Sequence, residues 1–149
     1  MEIIFKLSKA PTKPLWLDLS TTKIFKVLIN GHKENVHYEN SKLSLVGLEL
    51  GENKIEISYE TEYSKNGNGL HRFVDPEDKE EYFTTFFEPF SAHKVFPCFD
   101  QPNIKGVYTL MVCTPNSWSV ISNEATSSVE AIDDANATSA PIFGFRDHS

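Results

Sequence analysis

This sequence predicts an all-β fold, an antiparallel β-sandwich, on three observations. Apolar and polar residues alternate with a period of two over several short stretches, the pattern of strands with one buried face. Turn-forming residues recur roughly every 8–12 residues, the spacing of all-β domains. No window of the first 123 residues carries apolar residues at i, i+3, i+4 and i+7, so nothing longer than a single helical turn is expected.

The elements follow in order. Ile3, Phe5 and Leu7 alternate with their neighbours, as do Leu15, Leu17 and Leu19. Lys23 to Ile29 is more continuously apolar and stops at Asn30-Gly31, a dipeptide that tolerates the positive φ of a tight hairpin. Lys42 to Leu48 reads as a strand, and Gly51-Glu52-Asn53 as the turn after it. From Lys54 to Tyr63 the alternation is cleanest. Ile55, Ile57, Tyr59 and Tyr63 share one face, and Glu56, Ser58, Glu60 and Glu62 the other. Another strand is expected around Tyr82 to Phe86, then one helical turn at Ser91-Ala92-His93-Lys94, closed off by Pro97. Val107 to Cys113, apolar on both faces, predicts a buried strand, and Trp118 to Ile121 a shorter one. Residues 124–140 hold five alanines and four acids with no Lys, Arg or aromatic residue, a composition that predicts a solvated loop, with a short helix at Val129 to Ala137 as the competitor. Residues 141–149 read as the start of a further strand, cut short.

Composition bounds the function. Leu, Ile, Val and Phe supply 41 of 149 residues, enough for a core in a chain of single-domain length. The net charge of −7 opposes a nucleic-acid partner, which calls for a basic field. No apolar run approaches the roughly 20 residues of a membrane span, and no secretory leader is evident; a cytoplasmic location and no membrane partner are the expectation. Cys98 and Cys113 are too few for a disulfide framework; they could bridge only if their strands were adjacent, and they read as two buried free thiols. The five histidines show no metal-binding spacing, and His32 and His37 read as exposed residues flanking a hairpin. Gly-rich phosphate loops and nucleophile elbows are absent from the sequence. No catalytic residue and no metal ligand is assigned.

One segment is dense in unusual residues: 69–106, GLHRFVDPEDKEEYFTTFFEPFSAHKVFPCFDQPNIKG. Asp75-Pro76-Glu77-Asp78 is a turn sequence. Pro89, Pro97 and Pro102 forbid a continuing helix or central strand, and Phe86, Phe87, Phe90, Phe96 and Phe99 flank them. Backbone this stiff suits the fixing of polar groups, and the candidates are Glu88, His93, Lys94, Asp100 and Gln101.

The same segment resembles the N-terminal β domain of the aminopeptidase N family of zinc metallo-aminopeptidases, relatives of leukotriene A4 hydrolase. The residues that carry the resemblance are Gly69-Leu70-His71-Arg72-Phe73, Asp75-Pro76, Asp78, Tyr82, Thr85 and Glu88-Pro89, then Ala92 through Pro102, and Lys105. Trp118 to Asn123 fits the family's strand ending in a Ser-Asn pair, and weaker similarity reaches back to residue 2. The resemblance implies a saddle-like β domain over 1–123, with its first strand missing. It implies a substrate-anchoring role for Glu88, whose carboxylate grips the α-amine of a peptide N-terminus. It implies zinc too, but in a missing catalytic domain, since neither G-A-M-E-N nor H-E-x-x-H occurs in this chain. Peptide N-termini and that domain of the same polypeptide are thus the expected partners, and the chain alone is expected to be inactive. Phe86 stands where the family often has Gln; an apolar ring there alters the first side-chain pocket and with it substrate preference. Asp100-Gln101-Pro102 is expected to act as a turn. His93 and Lys94 are expected to pack their stems and expose their heads, or to face the missing domain. A non-catalytic interaction module derived from the same scaffold is the alternative.

Overall fold

Period-two stretches become strands because only a sheet pairs their backbone while sorting alternate side chains to opposite faces. A computed structural model of the chain describes residues 1–131. The chain divides after Lys105 into two units, each described by itself below.

In the first unit, β1 (Glu2–Leu7), β2 (Leu15–Asp18), β3 (Lys23–Ile29), β4 (His32–Lys33), β5 (Tyr38–Glu39), β6 (Lys42–Leu45) and β7 (Gly51–Glu60) form two antiparallel sheets. One has the order β1-β7-β3-β4 and the other β2-β6-β5. Val27, Ile29, Ile55 and Ile57 of the first sheet and Leu17, Leu43 and Leu45 of the second build one buried core, so the two sheets pack face to face as a sandwich. Each buried side chain of this size contributes about 1.5–3 kcal/mol. Glu56 and Ser58 point away from that core, as the alternation predicts. The strand ends at Glu60, however, so Tyr63, expected on its buried face, lies beyond it and is about half exposed. A bulge between Ile24 and Lys26 leaves Phe25 half exposed, with the Lys23 ammonium over its ring.

The hairpin at Asn30-Gly31 forms as expected, with φ of 52° and 82°. The turn placed at Gly51-Glu52-Asn53 does not. These residues open β7 and pair with Leu7, Lys6 and Phe5, and positive φ occurs at Gly47 and Gly51. Asn53, a turn former by type, is held in the sheet because its amide is satisfied inside the fold. Its Oδ1 accepts from the Glu49 N–H (2.8 Å) and from Asn30 Nδ2 (3.1 Å). Its Nδ2 donates to the carbonyls of Glu49 (2.8 Å) and Gly51 (3.1 Å).

In the second unit, the stretches 107–113 and 118–121 form no strand among the described residues. Val107, Tyr108, Met111 and Ile121 are exposed. An apolar run becomes a strand only where an edge is available to pair with it, and no described strand does so. Residues 124–131 are exposed and form no helix or strand. The remainder of the expected loop, the competing helix beyond Ala131 and the further strand over 141–149 lie outside the described residues.

Candidate functional site

The motif-bearing segment begins with β8 (Gly69–Val74) and β9 (Glu81–Phe86), a two-stranded antiparallel hairpin. Sequence reading found β9 but not β8, whose His71 and Arg72 break the apolar pattern. His71 Nδ1 pairs with the Ser64 carbonyl at 2.9 Å, and Arg72 forms an ion pair across the hairpin with Glu81. The connecting turn uses both motif aspartates: Asp75 Oδ1 accepts from the Glu77 N–H at 2.7 Å and Asp78 Oδ1 from the Glu80 N–H at 2.8 Å. These are side-chain turns that stand in for backbone ones. The Tyr82 hydroxyl donates to Asp78 Oδ2 at 2.7 Å. That bond, with the Glu80 amide second, holds the Asp78 carboxyl below its ordinary range. Gly69 is fixed by two constraints at once. Its φ is +72°, and a Cβ there would sit 3.0 Å from Lys94 Cβ.

After β9 the chain enters a tight turn. The Ser91 N–H donates to the Phe87 carbonyl at 2.8 Å, so Glu88, Pro89 and Phe90 form a loop closed at its base. The Glu88–Pro89 bond is cis. Two ring contacts flank the loop: Phe87 meets Phe96 edge-on at 5.5 Å, and Phe90 tilts over the His93 ring at 4.4 Å. Glu88 is exposed, and among the described residues it has no hydrogen-bond or ion-pair partner. Phe86 on one side and Phe90 on the other are each about half exposed.

A single turn of 3₁₀-helix follows at Ala92–Lys94, as expected. The structure corrects the reading of His93. Its head is buried, because Asp100 compensates the cost of taking it from water. His93 Nδ1 lies 2.7 Å from Asp100 Oδ2, and the same oxygen accepts the His93 backbone N–H at 3.1 Å. The Asp100 N–H in turn donates to Asp18 Oδ2 at 3.3 Å. The segment is further stitched to the sandwich along its length. Ser20 N–H donates to the His93 carbonyl at 2.7 Å, Asp18 and Cys98 exchange both backbone bonds at 2.8 and 3.0 Å, and the Tyr59 hydroxyl donates to the Val95 carbonyl at 2.8 Å. Phe99 packs edge-on against Phe5. Lys94 lies half-buried against Gly69. Gln101 is exposed, its N–H bonded to the Phe99 carbonyl and its own carbonyl to the Ile104 N–H, consistent with the turn expected at Asp100-Gln101-Pro102.

The five polar candidates therefore separate. His93 and Asp100 come together; Glu88 stands apart as a free carboxylate; Lys94 and Gln101 serve the backbone. Sequence reading missed the His93–Asp100 pair because seven residues spanning a proline-containing loop have no periodic signature. His32 and His37 are exposed as expected, with His37 3.2 Å from Glu39. Both cysteines are free thiols, but each is only partly buried rather than buried as expected. Burial, with the nearby charges of Asp100 and Asp18 adding to it, pushes the Cys98 thiol up to about 12.

Fold and segment together define a class: an antiparallel β-sandwich domain that carries a proline-rich motif segment packed against one of its sheets. Residues 1–140 match the model of the family described as Peptidase M1 N-terminal domain, and the chain belongs to that family. It is 36% identical over 113 residues to the aminopeptidase N of Streptomyces lividans, covering 74% of this chain and 13% of that protein. It is 30% identical over 143 residues to the glutamyl aminopeptidase of Sus scrofa, covering 84% of this chain and 15% of that protein. A probable aminopeptidase 1 of Sulfurisphaera tokodaii is 36% identical over 108 residues, 57% of this chain and 14% of that protein. The chain thus spans about one-seventh of the length of these relatives.

M1 aminopeptidases are generally zinc-dependent. Among the described residues no group of three or more His, Cys, Asp or Glu converges as a metal site, so these residues do not fit that ion. No helix among the described residues is long and apolar enough to cross a membrane.

Proposed function

We propose that this chain is the substrate-anchoring N-terminal domain of a zinc aminopeptidase that removes N-terminal residues from peptides, with Glu88 as the amine anchor. The observation that carries this is the state of Glu88: an exposed carboxylate without a protein partner, on a loop closed by the Ser91–Phe87 hydrogen bond. A free carboxylate on fixed backbone offers charge-assisted hydrogen bonds to an α-ammonium, about twice as strong as neutral ones. Fixing the amine fixes the distance from the substrate's N-terminus to the reacting bond, which limits cleavage to the first residue. The half-exposed Phe86 and Phe90 rings beside it favour an apolar first side chain.

The zinc and the general base belong, on this reading, to a catalytic domain in the same polypeptide, in a cytoplasmic setting. The chain by itself is inactive. The kinetic test is Glu88→Gln in the full-length polypeptide with fluorogenic aminoacyl substrates. Removal of the charge raises KM and lowers kcat, by about 10-fold or more in kcat/KM if one charge-assisted bond of ~1.5–3 kcal/mol is lost. Unchanged kinetics overturn the role of Glu88. Zinc-dependent turnover by the 149-residue chain alone overturns the placement of the chemistry outside it.

A further inference from the structure

The His93–Asp100 pair is a buried polar assembly in the motif-bearing segment, and the His93 ring meets Phe90 of the Glu88 loop. His93 and Asp100 side chains are only 10% and 12% exposed. Asp100 Oδ2 receives both the His93 ring nitrogen (2.7 Å) and the His93 backbone N–H (3.1 Å). A single carboxylate oxygen therefore locks the ring and the backbone of the same residue. The lock is tied to the sandwich on two sides, through Asp100 N–H to Asp18 Oδ2 (3.3 Å) and through the His93 carbonyl to Ser20 N–H (2.7 Å). Upon the locked ring rests Phe90, 4.4 Å between centroids, two residues from Glu88 in a loop whose base is the Ser91–Phe87 bond.

A buried histidine at this place is not needed to fill space, since an aliphatic side chain of similar size would avoid the desolvation cost of the pair. What the pair supplies is orientation: two directional bonds at one oxygen fix the plane of the imidazole, which an apolar residue leaves free to repack. We infer that His93, held by Asp100, is the positioning residue for Glu88, setting the direction of the anchoring carboxylate through the Phe90 ring. This rests on the reading of Glu88 as the amine anchor. His93 itself touches no substrate.

A double-mutant cycle in the full-length polypeptide tests it, with kcat/KM for aminoacyl substrates as the readout and thermal melting as the folding control. His93→Leu removes the donor to Asp100 and keeps a comparable volume. If His93 acts through Glu88, His93→Leu lowers kcat/KM about 10-fold in the Glu88 background but less than ~2-fold in the Glu88→Gln background, because contacting residues in one network are not additive. His93→Asn keeps an N–H close to the place of Nδ1 but offers Phe90 no ring to rest on, so it leaves most of the loss in place; full restoration overturns the route through the Phe90 ring. A merely structural His93 gives the same fold-loss in both backgrounds, and that result overturns the positioning role while leaving Glu88 as anchor. No effect of Glu88→Gln by itself overturns the anchor and this inference together. Should His93→Leu fail to fold, Phe90→Leu, a change at a half-exposed position, takes its place in the same cycle with the same expected and overturning results.

Discussion

Asn53 is fully buried in β7, and its side chain makes four hydrogen bonds, two accepted and two donated. Three of them tie Asn53 to the backbone of Glu49 and Gly51 at the start of β7, and the fourth joins Asn30, whose own Oδ1 accepts the Lys54 N–H at 2.9 Å. Asn53→Ala removes all four at once. A net value of about 0.5–1.5 kcal/mol per bond gives ~2–6 kcal/mol. The lower half applies here, since Glu49 lies at the surface and water can reach its freed backbone groups. The expected loss is therefore ~2–4 kcal/mol, a large share of the 5–15 kcal/mol by which a domain is stable. With a urea m-value of about 2 kcal/mol/M, the unfolding midpoint of the chain falls by roughly 1–2 M. Asn53→Asp separates the hydrogen-bond account from a volume account. It keeps the size but turns the two donors to carbonyl oxygens into a carboxylate facing them, and it should destabilise at least as much as alanine. Its carboxyl pKa is raised by burial, so the stability is present at low pH, where the protonated form again donates, and is lost as pH rises through the folded pKa. An Asn53→Ala unfolding free energy within ~0.5 kcal/mol of the parent would refute the reasoning, as would Asn53→Asp tolerated better than alanine at neutral pH.

Gly69→Ala should cost about 1–3 kcal/mol, from the left-handed backbone at +72° and the 3.0 Å approach to Lys94 Cβ; a melt unchanged by the substitution contradicts this. Tyr59→Phe removes the single bond to the Val95 carbonyl and should lower stability by about 1 kcal/mol without loss of packing, read by urea titration. The Cys98 thiol, raised from 9.0 to about 12 chiefly by burial, should react with iodoacetamide far more slowly than Cys113 in the folded chain at pH 8, and at a comparable rate in urea. Because its folded pKa lies above its unfolded one, its contribution is fully present below about pH 9 and is lost as pH rises towards 12. Tyr59, raised by burial too, adds to the same alkaline loss, and Cys98→Ala should flatten the pH 9–12 part of the stability profile.

How far the fold could be read beforehand follows from which interactions are local. The strand at Lys23 to Ile29, its Asn30-Gly31 turn and the faces of Ile55, Ile57 and Tyr59 were all readable, because alternation and positive φ are properties of neighbouring residues. Asn53 misled for the opposite reason. Its local preference is a turn, and what keeps it in β7 is a set of partners that includes Asn30, 23 residues away. The stretch 107–113 misled because apolar composition states a demand for burial without naming the edge that meets it. At the site, Glu88 was found by matching a motif, and its lack of any protein partner is visible only in the folded chain. The pairing of His93 with Asp100 needed the loop's three-dimensional path, and no count along the sequence replaces it. The two kinds of residue answer different physical demands. An anchor for an incoming ammonium must be left unpaired and wet, so it resembles any surface glutamate; the groups that aim it must be paired and dry, so each resembles an ordinary structural polar residue. Only their juxtaposition, the Glu88 loop meeting the locked His93 ring through Phe90, separates a binding device from a well-made turn, and the double-mutant cycle at Glu88 and His93 measures that separation directly.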